Sequence, residues 1–276
     1  MIAGIVGLGL IGGSFAKAYK KAEDTVLALD TDKSTLSFAM LAGSVDDKLT
    51  KENISNCDIV LLCTYPAAAI EFLDDFGKHI GKKAIVIDCC GTKRDICKEG
   101  FLAARKYGFT YLGGHPMAGT QFSGFKYSKA TLFYNAPMVI VPPSDFDIVL
   151  LDKVKQLLSP AKFAHLTVTT AEEHDKMIAF TSELAHIVSS AYIKSPTALS
   201  HKGFSAGSYR DLTRVAWMNA DMWSELFLDN KDYLIEEIDT IIKNLNMYKE
   251  TLQKGDQKRL KELINEGKRI KEKVDG

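Results

Sequence analysis

Ile2-Ala3-Gly4-Ile5-Val6-Gly7-Leu8-Gly9-Leu10-Ile11-Gly12-Gly13-Ser14 is the stretch whose reading decides the fold. Ile2–Val6 is apolar and β-branched, so it reads as a buried strand. Gly7, Gly9 and Gly12 then fit G-x-G-x-x-G, and Gly13–Lys21 reads as a helix. Asp30 ends the next strand, 18 residues beyond Gly12. Strand, glycine turn, helix and distal acid together form the fingerprint of a dinucleotide site. Gly7 permits the tight turn, Gly9 lets backbone approach a pyrophosphate, and Gly12 lets helix and strand pack closely. The N–H groups of Leu10 and Ile11 open the helix and face the phosphates. Asp30 is placed to accept hydrogen bonds from ribose hydroxyls. It would repel a 2′-phosphate, and Thr31 and Asp32 follow it rather than an arginine, so the expected dinucleotide is NAD, not NADP.

Outward from this unit the first half alternates β-like runs with helical ones. Val26–Leu29, Ile59–Leu62, Ala84–Ile87, Tyr111–Leu112 and Met138–Val141 read as strands, with Ala161–Val168 supplying a last one. Lys33–Ala42 and Thr92–Tyr107 lie between them as amphipathic helices. This alternation predicts a Rossmann-type doubly wound α/β sheet, mostly parallel. After Thr169 helical periodicity takes over. Glu172–Lys194 reads as one helix, Ala220–Gln253 as another capped by Asn219, and Gln257–Lys273 as a last charged one after a Lys254–Asp256 turn. The expected division is a dinucleotide-binding domain over 1–168 and an all-helical domain over 169–276.

The 276 residues suffice for two modest domains with proper cores. With 35 basic and 35 acidic residues, no overall field attracts nucleic acid or an anionic membrane, so any anion must be recognised locally. Cys57, Cys63, Cys89, Cys90 and Cys97 are odd in number and show no C-x-x-C spacing; they read as buried free thiols. Neither a leader pattern nor a long apolar span is present, and no metal-ligand cluster is signalled. The expectation is a cytoplasmic chain without a metal.

His115 is the first candidate for chemistry. It lies in Gly113-Gly114-His115-Pro116-Met117-Ala118-Gly119-Thr120, directly beyond the Tyr111–Leu112 run, and ligands of such sheets bind beyond the carboxyl ends of strands. Pro116 biases it toward extended backbone, which places it on a loop. An imidazole suits a general base that takes a hydroxyl proton as hydride leaves the same carbon, with activity falling as pH drops through about 6.5. His186 is a second candidate. On a regular helix it shares a face with Asp175, Ala179 and Ser182, while His174 lies to one side, as apt to be structural as to be a partner. Gly207-Ser208-Tyr209-Arg210-Asp211-Leu212-Thr213-Arg214, followed by Trp217 and Trp223, is the third feature. Read as a helix it lets Asp211 brace Arg214, and a guanidinium binds a carboxylate through two parallel hydrogen bonds.

GLGLIGGS at Gly7–Ser14, HPMAGT at His115–Thr120, EEHDKMIAFTSELAH at Glu172–His186, and the Gly207–Trp223 stretch occur in the order and spacing of prephenate dehydrogenases and the related arogenate dehydrogenases, which this chain resembles as far as about Leu228. The resemblance implies oxidative decarboxylation of prephenate to 4-hydroxyphenylpyruvate with NAD, in tyrosine biosynthesis. It implies that His115 accepts the ring hydroxyl proton, that Arg214 binds a substrate carboxylate and that His186 contacts the substrate side chain. Asp211, Gly207 and Trp223 match positions near the site, Gly207 presented from a partner subunit. Thr64, after the third long strand, joins the cofactor residues. The helical half corresponds to a dimerisation domain, which implies a homodimer.

The chain also departs from the family pattern. Gly91 stands where a loop serine is common, leaving Thr92 as the hydroxyl to substitute. Glu183 stands where a histidine is common, and Gln121 where an acid is. A carboxylate facing the side chain favours the ammonium of arogenate, and a neutral group favours prephenate; Glu183 and Gln121 point opposite ways. Two further readings stay open. A β-hydroxyacid or imine dehydrogenase would need a lysine where His186 stands, and an NAD-binding sensor would lack the His115 and Arg214 pair.

Overall fold

The computed structural model describes residues 1–275. Eight strands form one sheet: β1 (Ile2–Val6), β2 (Thr25–Leu29), β3 (Asp47–Lys48), β4 (Ile59–Leu62), β5 (Ile85–Asp88), β6 (Thr110–Pro116), β7 (Pro137–Val141) and β8 (His165–Val168). Their order is β3-β2-β1-β4-β5-β6-β7-β8, and every neighbouring pair is parallel except β6 with β7. Helices α1 (Leu10–Lys21), α2 (Lys33–Leu41), α3 (Pro66–Phe76), α4 (Arg94–Tyr107) and α5 (Ile148–Leu157) connect them.

Strands buried on both faces explain the continuous apolar runs. Ile5, Leu61, Ile87 and Leu112 join Phe15, Tyr19 and Phe133 in one core cluster, while Val60, Val86 and Tyr111 join Phe72, Ile96 and Phe109 in the other. The chain leaves β1 first toward β2 and later toward β4, so a crevice opens between the carboxyl ends of β1 and β4, where such sheets bind ligands. The expected strands are present, and β3 is an addition. It has only two residues, both charged and exposed, so no apolar pattern marks it.

The second half is helical: α6 (Ala171–Ile178), α7 (Ala185–Ile193), α8 (Gly207–Thr213), α9 (Ala220–Asp229), α10 (Lys231–Lys254) and α11 (Gln257–Asp275). Two expectations are corrected here. Glu172–Lys194 is not a regular α-helix, because Ala179–Leu184 between α6 and α7 is a π turn. That turn absorbs one extra residue, so everything beyond it is rotated by about 100° from the regular-helix reading. Nor is Ala220–Gln253 one helix, for it breaks at Asn230, which is fully buried with φ −112° and ψ 20°. The Asn230 amide donates to the Asp175 carbonyl at 2.8 Å and to Glu183 Oε2 at 2.8 Å, and its oxygen accepts from Arg94 Nη2 at 3.0 Å. Those three bonds fix the corner between α9 and α10. Asn219 caps α9, as the sequence indicates, by accepting the Met222 N–H at 3.0 Å.

Much apolar surface on the helical half faces solvent. Leu199 and Phe204 are about nine-tenths exposed, and Ile235, Ile242, Leu245 and Leu252 run along α10. No helix among the described residues is long and apolar enough to cross a membrane.

Candidate active site

The glycine loop has the geometry its spacing requires. Gly7 adopts φ +87°, and a Cβ there would lie 2.6 Å from the Cys63 carbonyl oxygen and 2.9 Å from Thr64 Cγ2. A Cβ on Gly12 would overlap the Gly7 carbonyl at 1.8 Å, whereas one on Gly9 meets nothing within 4 Å. Gly9 therefore faces open space above the loop, and no side chain caps α1 behind it. The first N–H groups of α1, from Leu10 and Ile11 onward, are left for an anion. Asp30 braces the loop by accepting the Leu8 N–H at 2.6 Å, while its other oxygen takes the Asp32 N–H at 2.8 Å. A carboxylate oxygen has more than one acceptor site, so Asp30 retains capacity for a ribose diol. These residues fit an adenine dinucleotide.

His115 lies not on a loop but in β6, where it pairs with Val139 of β7. Pro116 produces extended backbone as expected, and the extension is absorbed into the sheet. Half-buried, His115 holds its Nδ1 2.9 Å from His174 Nε2, and His174 Nδ1 lies 2.7 Å from Asp175 Oδ1. An ionised carboxylate only accepts, so His174 Nδ1 carries hydrogen and its Nε2 is a lone pair. His115 Nδ1 must then donate, which leaves its Nε2 as a free base. The three side chains form a relay that fixes one tautomer.

Asp175 is anchored for this task. It accepts the Lys93 N–H at 2.7 Å, the Arg94 N–H at 2.9 Å and Arg94 Nε at 3.3 Å, capping α4. Burial opposes its ionisation, but the bonds from His174 and the Arg94 backbone outweigh it and hold its pKa below the usual value. Burial pushes His174 down despite its bond to Asp175. His115 is pushed well below the ordinary histidine value, first by burial and then by His174 and Lys93.

Beneath the relay sits a buried ion pair. Lys93 and Asp88 are both fully enclosed and bonded to each other. Asp88 also accepts from the Tyr111 hydroxyl at 2.6 Å and from the Gly114 N–H at 3.3 Å, so it ties β5 to the residue before His115. Burial works against the Lys93 charge, yet Asp88 more than offsets it and holds its pKa above the lysine range.

Most of the substrate candidates lie on the helical half, with Gln121 and Thr92 on loops of the sheet half. His186 Nδ1 donates to the Ser182 carbonyl at 2.8 Å, and its ring lies on Trp223 with centroids 3.9 Å apart. Burial lowers the His186 pKa, the Ser182 bond opposes this, and nearby Arg214 adds to it. Arg214 is exposed in a short turn after α8 and, among the described residues, makes no ion pair. The expected brace from Asp211 is therefore absent; Asp211 is exposed and turned back toward Gly207 at the start of α8. Gln121 is exposed in the loop beyond β6. Thr92 is buried and its hydroxyl donates to Asp229 on α9 at 3.3 Å. Burial, then Glu225, push Asp229 up to about 6. Leu226 of α9 covers Gly91, and Glu225 accepts the Ala67 N–H at 2.9 Å. One face of α9 thus lies across the loops that follow β4 and β5.

Family models match the chain nearly end to end: the nucleotide-binding domain of prephenate dehydrogenase over residues 15–167, and its dimerization domain over 170–266. The chain belongs to the prephenate dehydrogenase family. It is 30% identical to the prephenate dehydrogenase of Lactococcus lactis, over 98% of this chain and 77% of that protein. The crystal structure of Aquifex aeolicus prephenate dehydrogenase, in complex with hydroxyphenyl propionate and NAD+, is similar with TM-score 0.84 and 25% identity, covering 100% of this chain and 98% of that one. Arogenate dehydrogenase of Synechocystis is similar with TM-score 0.80 and 25% identity, covering 99% and 100%. As a prephenate dehydrogenase family member the chain is an NAD-dependent oxidoreductase, as the glycine loop and Asp30 indicate.

Sequence reasoning missed the role of His174. Its signal was the adjacent acid, Asp175, which ends up capping α4 instead of sharing a face with His186. The buried Asp88–Lys93 pair was missed too, and only its place at a strand's carboxyl end hinted at it.

Proposed function

We propose that this chain oxidises prephenate to 4-hydroxyphenylpyruvate, with loss of carbon dioxide and NAD as the hydride acceptor. The relay from Asp175 through His174 to His115 carries this reading, because it leaves His115 Nε2 as a neutral acceptor at the carboxyl end of β6. Bound NAD supplies the acceptor for hydride. Gly7, Gly9, Leu10, Ile11, Gly12, Asp30 and Thr64 are the residues to hold it. His115 takes the ring hydroxyl proton as the carbon–hydrogen bond breaks, and the ring becomes aromatic as carbon dioxide leaves. That step is strongly downhill, so the protein's main tasks are to orient the reactants and manage one proton.

Arg214, with no ion pair among the described residues, is the candidate for a substrate carboxylate, and His186 against Trp223 forms the wall for the side chain. Gly207, Asp211 and Gln121 belong to the rim, and Thr92 joins through its hydroxyl. Residues 1–168 and 169–276 are the dinucleotide-binding and helical domains. The exposed apolar face of the helical half supports a homodimer through that domain, with Gly207 offered to the partner's site. The balanced charge favours a cytoplasmic enzyme of small molecules over a nucleic-acid or membrane binder.

Arogenate is the second reading, favoured by the Synechocystis likeness. Glu183, the carboxylate that would suit an ammonium, is 1% exposed and bonded to Asn230. Burial pushes it up to about 8, which leaves it mostly uncharged and favours prephenate. Steady-state formation of reduced nicotinamide tests the reading, with prephenate and arogenate compared under NAD and NADP. Turnover with arogenate alone would overturn the substrate; turnover with neither would overturn the function.

A further inference from the structure

Five thiols are present, and two of them meet. Leu62 and Asp88 are register partners at the ends of β4 and β5, and the ladder continues through the Cys89 N–H to the Leu62 carbonyl at 2.8 Å. The next pair in that register is Cys63 with Cys89. Neighbouring parallel strands lie about 5 Å apart, within the span a disulfide bridges. Both side chains pack on the same core cluster, so they share one face of the sheet. Burial and a hydrogen bond with the Cys63 thiol raise the Cys89 pKa well above its usual value. Cys90 alternates to the opposite face, where its thiol donates to the Thr64 carbonyl at 3.5 Å. Cys57 and Cys97 are buried in that second cluster as well.

The position of the pair matters. The strand end that carries Cys63 is the floor of the glycine loop: a Cβ on Gly12 would lie 3.0 Å from Cys63 Cβ. Cys63 is half-buried while Cys89 is enclosed, so a reagent in the dinucleotide crevice reaches Cys63 first.

We infer that Cys63 and Cys89 form a dithiol modification site in the floor of the dinucleotide crevice, oxidised to an intrachain disulfide by low-molecular-weight disulfides. The Cys63 thiolate attacks one sulfur of the small disulfide and releases the first small thiol. The Cys89 thiol, protonated in its buried setting, then passes its proton to the departing small thiolate as its sulfur attacks the mixed disulfide at Cys63, releasing the second small thiol. Two electrons and two protons pass from the protein to the small disulfide, giving one protein disulfide and two small thiols. Drawing the two strand ends together moves the surface on which Gly7 and Gly12 rest, so the oxidised protein binds NAD more weakly.

The test incubates the whole protein with oxidised glutathione, with and without NAD. Intact mass and peptide mapping follow the product, and the KM for NAD is measured before and after dithiothreitol. The expected result is a loss of about 2 Da with Cys63 linked to Cys89. It comes with a KM for NAD raised about tenfold, restoration by dithiothreitol, and protection by NAD. Cys63→Ser should keep its own NAD KM unchanged through the same treatment, whereas Cys57→Ser should respond like the parent. A stable glutathione adduct without the link, a link between other cysteines, or an equal change in Cys63→Ser would overturn the inference. None of these outcomes bears on whether prephenate is the substrate.

Discussion

The ring nitrogens His115 Nδ1 and His174 Nε2 stand 2.9 Å apart, joining a strand of the sheet to the first helix of the helical half. Only one hydrogen lies between them, and Asp175 on the far side of His174 decides which nitrogen owns it. The tautomer of His115 is therefore set by both halves of the chain.

Replacing His174 should be nearly as damaging as replacing His115. His174→Phe removes the acceptor for His115 Nδ1–H and lets the ring take the wrong tautomer. A fall in kcat of about two orders of magnitude is expected, with NAD affinity by calorimetry unchanged. His115→Asn should remove most turnover, and the double variant should be little worse than His115→Asn alone. Additive losses in the double variant would mean that the two imidazoles do not act as a unit.

The acid limb of the rate profile should lie lower than an ordinary histidine would place it. His115 is held well below 6.5 by burial, His174 and Lys93, so it remains an unprotonated base as pH falls through that value. Measured kcat/KM should stay level down through pH 6.5 and decline only below it. A limb centred at 6.5 or above would count against this environment for His115. The sequence alone indicates a limb at about 6.5, because burial and the neighbouring imidazole are properties of the fold.

Arg214→Gln should raise the KM for the substrate by about one to two orders of magnitude, the scale of a lost charge-assisted contact. With no ion pair among the described residues to lose, the variant should melt at the same temperature as the parent. An unchanged KM would remove Arg214 from the site.

Glu183 makes stability depend on pH in a definite direction. Its folded pKa is pushed up to about 8 from the ordinary glutamate value of 4.5, so the folded state holds a proton that the unfolded state has released. Its contribution is full below 4.5 and is lost as pH rises through about 8. Glu183→Gln should flatten the decline of melting temperature on the alkaline side, measured by calorimetry from roughly pH 5 to 9. A parallel decline in both proteins would show that another group sets it.

Lys93→Met should destabilise the protein by about 3–5 kcal/mol, because Asp88 would be left buried without its cation. Chemical denaturation measures this. Lys93→Met with Asp88→Leu should recover part of the loss, and a double variant as unstable as Lys93→Met would argue against pairing as the cause.

The sheet was legible because strands buried on both faces must be continuously apolar, and Ile2–Val6 and Ile59–Leu62 match their structural limits to the residue. Gly7 and Gly12 were legible because each answers a backbone constraint that few residues satisfy. His174 was not, since its partner is 59 residues away and the regular-helix reading turned it aside. Nothing in Ala179–Leu184 announces a π turn, so the placement of Asp175 beside His186 failed there. The break at Asn230 was equally silent, because its three bonds reach Asp175, Glu183 and Arg94, all distant in the chain.

The loosened turn between α6 and α7 has one more consequence. It stores a spare residue between His174 and His186. A one-residue deletion inside Ala179–Leu184 would close the turn into ordinary helix while both flanks keep their headings. Segment length can thus drift there without disturbing either histidine, and the spacing between the two in sequence is freer than the spacing between them in space.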